Sequence, residues 1–375
     1  MTEADEFNPA ARIAANLRAR MASQGPLPVS VVMMEALFDP MAGYYATRDP
    51  IGAGADFVTA PEISQMFGEL LGLWAAQCWQ DMGSPESLVL AELGPGKGTM
   101  MADMLRAARA VPGFADALKV SLVEASAALK MVQGQTLARA GVPVGWAKSL
   151  ETIPAGPAII FGNEFLDCLP VRQAVRVEGQ WRERCVTLHP DDESRFAFVT
   201  GPVIAEDDPF IPEALRDSPD GTLAELRPGD AQVVDALAAR FSDHPGHALF
   251  IDYGPSLSEP GDTLQAIREH QKVDPLDAPG TADLTARVDF DTLAQRARAA
   301  GLDVYGPVEQ GAFLKSLGME QRAAALAASR PDQRGTIARQ LHRLTAGEEM
   351  GVLFKVIALS APGMPAPPGL EPFPG

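Results

Sequence analysis

The chain has 375 residues, 46% of them hydrophobic and 21% charged, enough for one large domain with insertions or for two domains around a real core. A net charge of −18 argues against a non-specific nucleic-acid binder, which needs a basic face; it is compatible with a basic substrate and also simply aids solubility. Three cysteines, Cys78, Cys168 and Cys185, form no CxxC pair, which argues against a disulfide framework and for a reducing compartment.

The start is acidic and then amphipathic, without the basic-then-apolar order of a signal peptide. No uncharged apolar run approaches a membrane span, so a cytoplasmic protein with no membrane insertion is expected. "PAARIAANLRARMASQ" has helical spacing, with Ile13, Leu17 and Met21 on one face. "PVSVVMMEALFDP" predicts a second helix with Ser30 as N-cap and Pro40 as stop. "MAGYYATRDPIGAGADFVTAPEIS" reads as an ordered loop. "ISQMFGELLGLWAAQCWQDMG" returns to helical period, with Met66, Leu70, Leu73 and Gln77 on successive turns and an end at Gly83.

From there strands and helices alternate. "SLVLAEL" (strand) leads to "GTMMADMLRAARAV" (helix), and "LKVSLVEA" (strand) to "SAALKMVQGQTLARAG" (helix); "VPVGWA" and "PAIIFGNE" are the next two strands. This order implies a parallel, doubly wound sheet. The middle, around Gly179 and Asp191-Asp192, reads as antiparallel hairpins. "PGDAQVVDALAARFSD" is helical and "HALFIDYG" is an apolar strand; "DFDTLAQRARAAG" is a helix ended by Gly301, and "LDVYGPV" and "VLFKVIAL" are the last strands. The expected organisation is an N-terminal helical cover and cofactor-lid loop over 1–85, a core over 86–358 with an insertion at about 171–245, and a loose proline-rich tail over 359–375.

The stretch "LAELGPGKGT" is the most informative. A P-loop needs lysine directly after the last glycine and directly before the hydroxyl residue; here Gly98 separates Lys97 from Thr99. A dinucleotide loop needs GxGxxG, and the third glycine comes one residue early. Glu92-Leu93-Gly94-Pro95-Gly96-Lys97-Gly98 instead matches the E/DxGxGxG turn of S-adenosylmethionine sites. Such a turn lets the cofactor's amino acid part lie against backbone, Glu92 can assist its ammonium, and the helix beginning at Thr99 favours its carboxylate. Lys97 is expected to be solvated. Glu124, at the end of the second strand, can accept from both ribose hydroxyls. Ser149 and Leu150, after the third strand, could line an adenine.

The fourth strand runs into Asn163, Glu164, Asp167 and Pro170, at the carboxyl end where open parallel sheets gather functional groups. Two carboxylates and an amide suit a guanidinium, which has five donors in a planar fork. Glu164 could localise the charge of an arginine and take its proton, with Asp167 and Asn163 beside it; the bland alternative is that Asn163 and Glu164 cap the turn that follows. Thr59, Pro61 and Glu62 lie in the loop before a helix and Glu62 in its first turn, which alone explains an acid. Tyr44 and Tyr45 could lie across a cofactor or simply pack. Asp252, Tyr253 and Gly254 end a strand at a sheet edge, and Asp283 and Thr285 sit in a long loop. His244 and His247 lack a third ligand, so no metal is expected.

As an ordered set, "GYYATRDPIGAGADFVTAPEISQMFGE", "ELGPGKGTMMADML", "VEASAALKMVQ", "GNEFLDCLPVRQ", "FIDYGP", "GDTLQAIREHQ", "GTADLTARVDF" and "MGVLFKVIAL" resemble the MidA-like family of class I methyltransferases, over roughly residues 43 to 357. The resemblance implies an α/β, Rossmann-like class I core with a mostly parallel seven-stranded sheet, an N-terminal helical cover and an inserted antiparallel or helical subdomain. It implies S-adenosylmethionine bound by Gly94, Gly96, Gly98 and Glu124, with Glu62 and Asn163 near the pocket, and S-adenosylhomocysteine as product. It also implies a protein arginine as acceptor; in mitochondrial members the target is a core subunit of respiratory complex I. No mitochondrial presequence is evident, so a bacterial relative is expected. A homodimer stays open, as do two rivals: an assembly chaperone that binds the cofactor without chemistry, and a small-molecule methyltransferase.

Overall fold

A computed structural model gives the fold and describes residues 8–47 and 59–374. Residues 48–58, part of the stretch read as an ordered loop, lie outside the described residues. The chain divides into two units. One comprises Met1–Phe57, Cys168–Asp230 and Ser258–Arg287; the other comprises Val58–Asp167, Ala231–Leu257 and Val288–Gly375.

The second unit is built on seven strands: β1 (Leu88–Leu93), β2 (Leu118–Val123), β3 (Val144–Ala147), β4 (Ala158–Asn163), β5 (Gly246–Tyr253), β6 (Asp303–Glu309) and β7 (Phe354–Ser360). Their order is β6-β7-β5-β4-β1-β2-β3. The pairs among β1 to β5 are parallel, and β7 runs antiparallel between β5 and β6. "LVLAEL" and "AIIFGN" are nearly all apolar because β1 and β4 are covered on both faces. The direction of chain winding reverses between these two strands, which opens a crevice at their carboxyl ends.

Helix Gln65–Asp81 belongs to this unit and not to the N-terminal cover expected over 1–85. Its buried face differs from the expected one. Met66 and Leu70 are buried, but Leu73 is 42% exposed, and Phe67, Leu71, Trp74 and Cys78 are buried instead. The cause is close packing on helix Thr99–Ala108: a Cβ at Gly72 would stand 2.5 Å from the Met104 carbonyl oxygen. The contact therefore runs along Gly68 and Gly72 and turns Leu73 and Gln77 outward.

The proline-rich tail is tied down, contrary to the expectation of a loose end. Prolines lack an N–H but keep a carbonyl, and Trp74 Nε1 donates to Pro368 O at 3.0 Å. Gly306 N donates to Glu371 O at 2.7 Å and Phe373 N to Val304 O at 2.9 Å, while Leu370 joins the core.

In the first unit, helices Pro9–Gln24 and Val29–Phe38 bury Ile13, Leu17, Met21, Val32 and Met33 in one cluster. Ser30 is not the N-cap. Leu27–Pro28 pairs as a short strand with Val186 and Cys185, so the chain enters the helix directly after Pro28 and Ser30 lies inside it. The hairpins form as expected, with strands Arg172–Val177, Gln180–His189 and Asp192–Val203 turning at Gly179 and before Asp192. Asp283 and Thr285 are not in a loop: Asp283–Thr285 is a buried strand paired with Gln265–Arg268. Tyr44 is fully buried in the cluster around Ile13, and Tyr45 OH donates to Asp283 Oδ1 at 2.8 Å. The insertion expected at about 171–245 corresponds here to two segments, Cys168–Asp230 and Ser258–Arg287. No helix among the described residues is long and apolar enough to cross a membrane.

Candidate functional site

The glycine loop leaves β1 with three left-handed residues: Gly94 at φ 60°, Gly96 at 52° and Gly98 at 79°. An L-residue in that conformation costs roughly 1–2 kcal/mol, so the spacing follows the backbone. Gly98 N donates to Pro95 O at 2.7 Å, closing the turn, and Gly98 is the N-cap of helix Thr99–Ala108. Lys97, expected to be solvated, is half-buried.

Glu92 sits inside β1, 4% exposed. Its Oε2 has no hydrogen-bond partner, and burial pushes its carboxyl up to about 8 against the pull of the Met101 backbone amide. Glu124 follows β2. Ser126 N donates to its Oε1 at 2.7 Å and Gln133 Nε2 to its Oε2 at 3.0 Å. Burial raises the Glu124 carboxyl above its ordinary value, and the Ser126 and Gln133 donors oppose that rise.

Three of the expected residues come from the one-turn helix Ala60–Ile63 and its N-cap. Thr59 caps it, Pro61 is in its first turn, and Glu62 N donates to Thr59 O at 2.9 Å. Glu62 is more than a helix-start acid, because Thr99 Oγ1 donates to its Oε1 at 2.6 Å. Ser149 and Leu150 open the 3₁₀ turn Leu150–Thr152 after β3, with Leu150 buried and Ser149 half-buried.

At the end of β4, Asn163 Oδ1 is buried without a partner. Asn163 Nδ2 donates to Glu164 Oε1 at 3.1 Å, and Ala60 N donates to the same oxygen at 3.2 Å. Glu164 therefore accepts from a helix 104 residues earlier in the chain, which is more than capping its own turn. It also has a left-handed backbone, φ 50°, a conformation that costs a non-glycine residue about 1–3 kcal/mol and gathers at functional sites. Asp252, fully buried at the end of β5, holds it there. Its Oδ2 accepts from the backbone amides of Phe165, Leu166 and Asp167 at 3.1, 2.9 and 3.2 Å. Asp167, itself buried, is the third residue of that run.

Glycine spacing could not point to Gln133, Trp146 or the role of Asp252. The sequence marks Asp252 only as a strand-end acid, and Gln133 is one polar residue on a mixed helix. Their partners come from segments up to 87 residues away.

The residues fit the amino acid end of S-adenosylmethionine. A buried Glu92 oxygen and a buried Asn163 oxygen, both unpartnered, suit a group that brings N–H donors. The left-handed glycines leave three positions of the loop without side chains, where backbone can approach a ligand.

Comparison with known proteins agrees. Residues 70–308 match the family model "Putative S-adenosyl-L-methionine-dependent methyltransferase". The chain is 36% identical to the Drosophila melanogaster "Protein arginine methyltransferase NDUFAF7 homolog, mitochondrial", covering 92% of this chain and 84% of the relative. It is 33% identical to the Homo sapiens "Protein arginine methyltransferase NDUFAF7, mitochondrial", covering 94% and 84%. A Burkholderia thailandensis protein crystallised with S-adenosyl-homocysteine superposes with a TM-score of 0.83 at 29% identity, covering 96% of this chain and 94% of that one. The chain thus belongs to this family of α/β S-adenosyl-L-methionine-dependent methyltransferases.

Proposed function

We propose that this protein transfers a methyl group from S-adenosylmethionine to an arginine nitrogen of a protein substrate, with S-adenosylhomocysteine as product. The observation that carries the acceptor side is Glu164: a carboxylate held in a left-handed turn at the end of β4, the strand beside the glycine loop's own β1. Relatives at 33–36% identity bear the name protein arginine methyltransferase, which supports the same acceptor.

When bound, the cofactor supplies a methyl already activated on a sulfonium. Gly94, Pro95, Gly96 and Gly98 give it a bare backbone to lie against, and the helix beginning at Thr99 favours its carboxylate. Glu92 and Asn163 accept from its ammonium, Glu124 from its ribose hydroxyls. Ser149 and Leu150 border the adenine. Thr59, Pro61 and Glu62 border the pocket, with Glu62 fixed by Thr99. Glu164 binds the guanidinium, draws its positive charge onto one nitrogen so that the other can attack, and takes the proton the methylated nitrogen loses. Asp167 and Asn163 complete the acceptor-rich rim. Most of the rate comes from positioning.

The partner we infer is a core subunit of respiratory complex I, on the strength of the family resemblance, and the compartment is the cytoplasm, where three free cysteines would stay reduced. The test is to incubate the protein with methyl-labelled S-adenosylmethionine and lysate of the source organism lacking this gene. The expected result is a labelled protein whose mass spectrum shows methylarginine. Label confined to small molecules, or no label at all, would overturn the proposal.

A further inference from the structure

We infer that Gln133 is a positioning residue: it locks the Glu124 carboxylate to the glycine loop and thereby sets discrimination for a cofactor with an intact ribose diol. The inference rests on the reading that Glu124 accepts from the ribose.

Gln133 lies on helix Ala127–Thr136, nine residues after Glu124, and is fully buried. A buried amide costs free energy unless its polar atoms are paired, and a leucine would fill such a helix position at less risk. Every polar atom here is paired. Nε2 donates to Gly96 O at 2.8 Å and to Glu124 Oε2 at 3.0 Å, and Oε1 accepts from Trp146 Nε1 at 2.8 Å. The orientation is unambiguous, because a flipped amide would aim its oxygen at two other acceptors.

One side chain therefore joins three segments: the loop after β1, the acid after β2, and edge strand β3. Backbone bonds join the same segments at the strand ends, Gly94 N to Val123 O at 3.1 Å and Glu124 N to Ala147 O at 3.2 Å. Gln133 extends that connection to Gly96 and to the Glu124 side chain itself. Backbone donors from Ser126 and Ala125 hold the carboxylate from its own turn, and Gln133 adds the side-chain donor on Oε2 that sets its rotation against the glycine loop. The lone pairs left over on the two oxygens then point in set directions, which two neighbouring hydroxyls need. Without the amide, Oε2 loses its Gln133 donor and the carboxylate is held only from its own turn.

The test measures binding of S-adenosylhomocysteine and of its 2′-deoxyribose analogue by calorimetry, for wild type, Gln133→Met and Trp146→Phe. The wild type should prefer the diol by roughly ten- to a hundredfold, the range of a hydrogen bond to a charged group. Gln133→Met should shrink that preference at least about threefold, and Trp146→Phe, which removes only the donor to Oε1, should shrink it less. A merely structural role would weaken both ligands equally and leave the ratio unchanged, and that result overturns the inference. If Gln133→Met does not fold, an unchanged ratio in Trp146→Phe, a 41% exposed position, overturns it as well. A wild type that does not distinguish the two ligands contradicts the ribose role of Glu124, and the inference falls with it.

Discussion

The loops after β1 and β4 leave adjacent strands, and they reach left-handed backbone by different means. The β1 loop uses glycine three times, at φ 60°, 52° and 79°. The β4 loop uses a glutamate, Glu164 at φ 50°, and relies on the Asp252 carboxylate to keep it there. Glycine gives a bare surface, which suits a ligand that lies against backbone. A constrained glutamate keeps its side chain, which suits chemistry. On the proposed function, the difference separates most of the holding of a cofactor from acting on an acceptor.

Among the residues that support the two loops, Asp252 gives the largest expected effect. Asp252→Asn keeps the shape but removes the charge shared by the amides of Phe165, Leu166, Asp167 and Tyr253. Losing one charge-assisted hydrogen bond is worth about 1.5–3 kcal/mol, so methyl transfer should fall roughly 10- to 150-fold. Binding of S-adenosylhomocysteine should fall much less, because the Phe165, Leu166 and Asp167 amides that Asp252 holds follow β4 and not the glycine loop. Equal losses in both measurements would erase the distinction between the loops.

Glu92 sharpens the cofactor side through pH. Its folded carboxyl lies at about 8, above an ordinary value of 4.5. The folded state therefore favours the neutral form; this stability is present below pH 4.5 and is lost as pH rises through 8. The melting-temperature advantage of the ligand-free wild type over Glu92→Gln should shrink across that window. Saturating S-adenosylhomocysteine should flatten the trend, since an ammonium beside Glu92 favours its charged form. A difference that does not vary with pH would contradict the burial that raises this acid.

Thr99→Val gives the smallest effect. It removes the 2.6 Å bond to Glu62, worth about 0.5–1.5 kcal/mol, and should weaken S-adenosylhomocysteine binding roughly two- to tenfold in a calorimetric titration.

The β1 loop was legible in the sequence because its requirement is local: three backbone positions that need glycine, placed between an apolar strand and a helix. The parallel sheet was legible for the same reason, since β1 and β4 are short apolar runs. The β4 loop was only half legible. Glu164 could be picked from its place at a strand end, but its conformation depends on Asp252 and its bond on Ala60. Nothing local signals either partner. Leu73 was misread because helical period gives a face only when neighbours respect it, and the contact through Gly68 and Gly72 turned the helix. The tail was misread because proline content speaks of missing donors, whereas Pro368 is held as an acceptor.

On the proposed reading the glycine loop after β1 carries most of the cofactor cradle, with Asn163 beside it, and Glu164 carries the acceptor chemistry. Glu164→Gln tests it directly, with S-adenosylhomocysteine affinity and methyl transfer to protein arginine measured on the same preparation. The expected result is wild-type affinity with transfer reduced by about a hundredfold or more, the range of a lost general base. Transfer retained at the wild-type rate would contradict it.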